Sequence, residues 1–148
     1  MKGAKLQIIR RFRASPEKMF AACTDPSLMV RWFGPKDFRV TELEADVRVG
    51  GTFSFRMVGP PGEMAAGGEY EVVEPPTLLV HTWRWTDGPV EYPPDGVTSR
   101  ITYELSADGS GTRLTFTQEG LPTQDQADSH EEGWSEALDK LEAILEPR

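Results

Sequence analysis

"SHEEGWSEALDKLEAIL", Ser129 to Leu145, is the stretch on which the fold turns. Together with Ala127 just before it, His130, Trp134, Leu138, Leu141 and Leu145 recur every three or four residues, which places them on one stripe of a long helix. Gly133, Ala137 and Ile144 border that stripe. Thr123 and Gln126 fit a capping box, so the helix is expected from near Thr123 to Glu146. A glycine inside a helix costs ~1 kcal/mol relative to alanine. Gly133 must therefore serve either a close approach of another part of the chain or the wall of a cavity, and Trp134 beside it either fills a core or faces that cavity.

A helix with one apolar face needs a surface to cover, and the residues between Phe38 and Gln118 supply one. "FRVTELEADV", "GTFSFRMV", "GEYEVVE", "TLLVHTWRW", "VTSRITYEL" and "TRLTFTQE" read as six strands separated by turn-forming glycines, prolines and aspartates. Alternation puts Phe53, Phe55 and Met57 on one face, as it does His81, Trp83 and Trp85, then Ile101, Tyr103 and Leu105, then Leu114 and Phe116. "KLQIIRRFRA", Lys5 to Ala14, adds a strand at the start. Ser15-Pro16 and Asp25-Pro26 each open a short helix, and Gly34-Pro35 ends the pair. The two longest turn-rich stretches, "VGPPGEMAAGG" and "TDGPVEYPPDG", are expected as mobile rim loops. The expected fold is thus α+β: a curved antiparallel sheet of about seven strands, two short helices after the first strand, and a long C-terminal helix across the sheet. Residues 1–148 read as a single domain with no internal repeat and no linker.

Composition narrows the function. A net charge of −8 and a pI near 4.8 oppose binding to nucleic acid and to anionic membranes, which both select for lysine and arginine. "RRFR" at Arg10 to Arg13 is better read as a solvated strand end. Cys23 is the only cysteine, so no intrachain disulfide forms and a reducing cytoplasm is the expected setting. No apolar run spans a bilayer, and the opening "MKGAKLQIIRRF" becomes charged too early for a secretory signal. No metal-ligand spacing and no phosphate-cradling glycine motif occurs, so no metal and no cofactor is expected.

Two histidines, His81 and His130, carry whatever imidazole chemistry exists. His130 precedes Trp134 by one turn on the inward stripe, where it suits a ligand hydrogen bond or an acid/base role. His81 sits among tryptophans, where packing is the commoner duty. Pocket candidates are Phe53, Phe55, Met57, Tyr70, Trp83, Trp85, Ile101, Tyr103 and Phe116 from the strands. Trp32 and Phe33 from the short-helix segment, and His130, Trp134 and Leu138 from the long helix, complete the set. Any one of these is more often core than pocket, but together they suit a flat apolar ligand. Tyr70, Tyr103, His130, Arg56 and Arg100 are candidates for its polar contacts.

The phrases "RFRASPEKMFAACTDPSLMVRWFGP", "VRVGGTFSFRM", "GEYEVVEPPTLLVHTWRW", "GTRLTFTQEGLP" and "HEEGWSEALDKLEAIL", in this order, resemble the START-like (SRPBCC) superfamily, and within it the branch of activators of heat-shock-protein-90 ATPase homologues. The resemblance implies a helix-grip fold with a cavity between sheet and long helix. That superfamily includes lipid carriers, polyketide cyclases and allergen-type binders, so the fold by itself assigns no chemistry. Three readings follow. The first is a binding protein for an apolar or aromatic small molecule, lipid-like or polyketide-like. The second is a cyclase- or hydrolase-type enzyme using the same cavity with His130 as acid or base. The third is a chaperone-interacting module, which the absence of room for a further N-terminal domain argues against. Monomer and homodimer are both left open.

Overall fold

The alternating strands and the helical stripe are complementary surfaces, and the computed structural model, which describes residues 3–88 and 97–146, packs one on the other. Strand β1 (Ala4–Phe12) leads through helices α1 (Pro16–Thr24) and α2 (Pro26–Met29) to β2 (Arg39–Ala45). Strands β3 (Thr52–Gly59), β4 (Gly62–Glu74), β5 (Leu78–Asp87), β6 (Ser99–Asp108) and β7 (Gly111–Leu121) follow, and α3 (Gln124–Leu145) ends the fold. The sheet has seven strands in the order β1-β7-β6-β5-β4-β3-β2, with antiparallel neighbours throughout. Every pairing from β2 to β7 joins consecutive strands. The segment holding α1 and α2 carries the chain from one edge strand to the other.

The helix starts lie where the side chains required them. Ser15 Oγ accepts from the backbone N–H of Lys18, Asp25 Oδ1 from that of Ser27, and Thr123 Oγ1 from that of Gln126. Gly34 has φ +89°, the left-handed turn expected there. One expectation needs correcting. "VGPPGEMAAGG" is no loose rim: the chain reverses over Pro60-Pro61 alone, and Met57↔Met64 and Phe55↔Ala66 pair directly across a hairpin. Glycine and alanine lower strand propensity, but a neighbouring strand that pairs every residue overrides it. Of the other rim, "TDGPVEYPPDG", residues 89–96 lie outside the described residues.

One face of the sheet is buried under α3. Phe53, Phe55, Met57, Trp83, Ile101, Tyr103, Leu105, Leu114 and Phe116 lie there, against Ala127, Trp134, Ala137, Leu138 and Leu141 of the helix. The expected alternation therefore holds across β3, β5, β6 and β7. The basic residues of "RRFR" are engaged in ion pairs: Arg10 with Asp139 of α3 at 2.7 Å, Arg11 with Asp108 at 3.4 Å and Arg13 with Glu146 at 3.7 Å. Among the described residues no helix is long and apolar enough to cross a membrane.

His81 is enclosed in this core. Its Nδ1–H donates to the carbonyl of Thr82 at 2.8 Å, which leaves Nε2 to accept from the Tyr103 hydroxyl at 3.2 Å. Burial pushes its pKa down from 6.5 to about 4. The folded state thus disfavours the protonated ring: stability is complete above pH 6.5 and is lost as pH falls toward 4. His130 is shifted downward by burial and acts in the same sense. Urea midpoints measured across this range should fall by an equivalent of about 2–3 kcal/mol on reaching pH 4.5. Equal midpoints at pH 7 and pH 4.5 would contradict buried, neutral histidines.

Candidate functional site

Helix α3 carries two adjacent rows of residues four apart. His130, Trp134 and Leu138 are large; Ser129, Gly133 and Ala137 are small. The large row meets the sheet. Opposite the small row lie Gly34, Pro35 and Phe38, with Met57, Pro61 and Met64 of the β3–β4 hairpin, and the small side chains leave a cleft of about 270 Å³. Phe55, Trp83, Trp85 and Trp134 complete its apolar wall. Met57, Met64, Trp83, Trp134 and Ala137 are buried at its floor, while Pro35, Phe38, Pro61, Ser129 and Gly133 form a partly exposed rim.

Gly133 belongs to the cavity wall. A Cβ there would meet Pro35 Cγ at 3.4 Å, ordinary contact, so no collision demands glycine at this position. The tight approach to the sheet or short helices does not occur; what the glycine preserves is space.

Trp134 is core on one side and wall on the other. Its ring packs on Phe116 at 4.8 Å and on Trp83 at 5.2 Å. Its Nε1–H donates to Gln118 Oε1 at 2.9 Å, Gln118 Nε2 donates to Ser99 Oγ at 2.9 Å, and Ser99 Oγ donates to the carbonyl of Trp83 at 3.3 Å. This buried chain ties α3 to β7, β6 and β5. By contrast, Trp83 Nε1 is buried without a hydrogen-bond partner among the described residues. Trp83 makes T-shaped contacts with Trp85 and Trp134, an arrangement in which an indole edge meets a ring face.

His130 is held at both nitrogens. Nδ1–H donates to the carbonyl of Gln126 at 2.7 Å, and Nε2 accepts from Trp85 Nε1 at 3.0 Å. Burial lowers its pKa. A base must offer a lone pair to its substrate, and this ring has already committed its own to Trp85. His130 fixes Trp85 as part of the wall.

Lys140, one turn beyond Glu136, secures the rim. Its Nζ donates to the carbonyls of Phe33, Pro35 and Phe38 at 3.2, 3.2 and 3.3 Å, and the N–H of Lys36 donates to Glu136 Oε1 at 3.2 Å. Partial burial lowers the Lys140 pKa.

Of the residues proposed from sequence, the structure brings Phe55, Met57, Trp83, Trp85, His130 and Trp134 to the cleft. Trp32, Phe33, Phe53, Tyr70, Ile101, Tyr103, Phe116 and Leu138 are buried away from it, their surfaces taken up by other core groups. Phe53, for instance, is covered by Tyr70, His81 and Trp83, and Tyr103 by His81 and Phe116. Arg56 pairs with Asp87 and Glu63, and Arg100 with Glu71 and Glu119, on the opposite face of the sheet, so neither serves the cavity. Sequence reasoning missed Gly34, Pro35, Phe38, Pro61, Met64 and Ser129. The small row Ser129-Gly133-Ala137 was the available signal, since its four-residue spacing marks a helical strip of short side chains.

Room at Gly133 sets two expectations. Gly133→Ala should raise stability by up to ~1 kcal/mol through helix propensity, measured by urea unfolding. Gly133→Leu should fold with stability near the parent's, because its side chain enters the cleft rather than a packed interior. Strong destabilisation by both variants would mean that the cleft closes in solution.

A family model described as Activator of Hsp90 ATPase homolog 1-like protein matches residues 13–146. Among solved structures, protein CV1439 from Chromobacterium violaceum is similar with 28% identity and a TM-score of 0.86, over 97% of this chain and 98% of that one. The AHSA1 protein SPO3351 from Silicibacter pomeroyi is 29% identical with a TM-score of 0.81, over 96% and 97%. CalU16 from Micromonospora echinospora is 27% identical with a TM-score of 0.66, over 97% of this chain and 76% of that one. No curated protein matches the chain. Order of elements, sheet topology and the sheet-covering helix are those of the START-like helix-grip fold, which commonly binds ligands, and the chain belongs to the family of Activator of Hsp90 ATPase homolog 1-like proteins.

Proposed function

We propose that this protein binds an apolar or aromatic small molecule in the cleft between α3, the β3–β4 hairpin and the Gly34–Phe38 rim. The single observation that carries the reading is that α3 gives up side-chain volume at Ser129, Gly133 and Ala137 opposite a wall of Trp83, Trp85, Trp134, Phe55 and two methionines. Binding sites are mostly apolar, with few placed polar groups, and sizes from about 300 Å³ upward are common for drug-sized ligands. At about 270 Å³ this cleft suits a bicyclic aromatic or the end of a larger lipid-like or polyketide-like molecule. Methionine side chains adapt to varied shapes, which favours breadth over strict selection.

Catalysis in the same cleft is the weaker reading, because the engaged nitrogens of His130 leave its acid/base role without support. A chaperone-binding role draws only on the family's name. The buried, solitary Cys23, whose thiol pKa is pushed up to about 12, suits work in a reducing cytoplasm, with residues 1–148 acting as one domain.

The neutral fluorophore N-phenyl-1-naphthylamine tests the proposal. Bound probe should brighten, quench emission of the cleft tryptophans, and raise the melting temperature, since ligand at 100 times its Kd adds ~2.7 kcal/mol. Gly133→Leu should abolish all three effects while remaining folded. A probe that does not bind, or that binds the leucine variant equally well, would exclude the cleft as the site.

A further inference from the structure

Phe38 alone, of the described lining residues, belongs both to the inner cleft and to a shallower groove outside it, bordered by Lys36, Asp37, Arg39, Val58, Gly59 and Pro60. It lies between α2 and β2, in neither helix nor strand, and is half-buried. Its ring rests on bare backbone: a Cβ at Gly59 would lie 2.6–2.8 Å from Phe38 Cδ2, Cε2 and Cγ, so any side chain there would evict the ring. The backbone beneath it is pinned. Phe38 N–H donates to the carbonyl of Pro35 at 2.9 Å, and its own carbonyl accepts from Lys140 at 3.3 Å. The main chain is thus fixed by polar contacts, while the ring is held by packing on a glycine.

We propose that Phe38 is a movable partition whose side chain, turning on a pinned backbone, joins the cleft to the outer groove and creates an extended site for an elongated amphiphile with an anionic end. This inference rests on the ligand-binding reading above and names the class of ligand. The apolar body lies in the cleft among Trp83, Trp85 and Trp134, passes the position vacated by Phe38, and runs over Val58, Gly59 and Pro60. Its anionic end then meets the side chains of Lys36 and Arg39, neither of which is in a salt bridge among the described residues; of the carboxylates beside them, Asp37 and Glu136, the latter is engaged by the Lys36 backbone N–H at 3.2 Å. Side-chain rotation of a half-buried ring needs no rearrangement of the fold. Gly59 supplies the flat seat that the closed position requires.

The test uses the full chain loaded with N-phenyl-1-naphthylamine and displaced by straight-chain alkanoic acids, from hexanoic to hexadecanoic, and by the matching alkanols. Affinity should continue to rise by about fourfold per methylene beyond the length that the inner cleft holds. Phe38→Ala, and independently Gly59→Val, should speed association of the longest acids in stopped-flow traces. Lys36→Glu with Arg39→Glu should weaken the acids on the order of tenfold at low ionic strength and leave the alkanols unaffected. Affinity that levels off at short chains, with association rates unchanged in both ring variants, would overturn the partition. Equal response of acids and alkanols to the charge reversal would overturn the anionic end. Failure of N-phenyl-1-naphthylamine to bind at all would instead strike the ligand-binding reading itself.

Discussion

The hydrogen bond from the Trp134 indole to Gln118 sets the position of α3 on the sheet. Apolar packing alone would tolerate sliding or rotation of a helix over a face of interchangeable rings, because dispersion and burial are non-directional. An indole N–H and a buried amide have no such freedom, since a lost partner leaves a polar group unsatisfied at about 1–3 kcal/mol. Gln118 is itself oriented through Ser99 to the Trp83 carbonyl, so the helix is registered against three strands at once. Given 3.6 residues per turn, every other row of α3 is then placed. His130 must lie over Trp85, Lys140 must face the carbonyls of the rim, and the small row falls between them.

That in-between position explains where the cleft is. The large row touches the sheet and the row of Glu136 and Lys140 touches the rim loop; Ser129, Gly133 and Ala137 lie on the strip of helix between these two contacts. The void is therefore a consequence of three-way contact between a cylinder, a curved sheet and a loop, kept open by small side chains. Lys140 matters because its three carbonyl contacts fix the backbone at Phe33, Pro35 and Phe38, the loop that forms the outer side of the cleft.

Much of this architecture is legible in the sequence, for reasons that are local. Caps at Ser15, Asp25 and Thr123, the left-handed turn at Gly34 and the period of two in β3, β5, β6 and β7 each involve residues within a few positions of one another. The cleft depends on pairs far apart, such as Lys140 with Phe33 and Trp85 with His130, and alternation cannot say where along a face a void will fall. Phe53 and Phe55 share a face and a residue type, yet only Phe55 reaches the cleft; Phe53 is spent against Tyr70 and His81. The stretch from Gly62 to Gly68 failed for a different reason. Its glycines and alanines lack strand propensity, and the ladders with β3 and β5 make them a strand, with Met64 turned into the wall.

Polar groups sort along the same lines. His81 and His130 resemble catalytic candidates in sequence, but each has a carbonyl on Nδ1 and a donor on Nε2, an arrangement that locks one neutral tautomer. Burial with both nitrogens satisfied rigidifies a core; it removes the freedom to exchange a proton with a substrate. What lines the cleft is accordingly aromatic and apolar surface, with the ring nitrogens of Trp85, His130 and Trp134 already engaged. Leucine in place of Gly133 would suit the helix and place its side chain in the void, so neither helix propensity nor a collision explains glycine there. Glycine at this position keeps the cleft open, where a longer side chain would enter it.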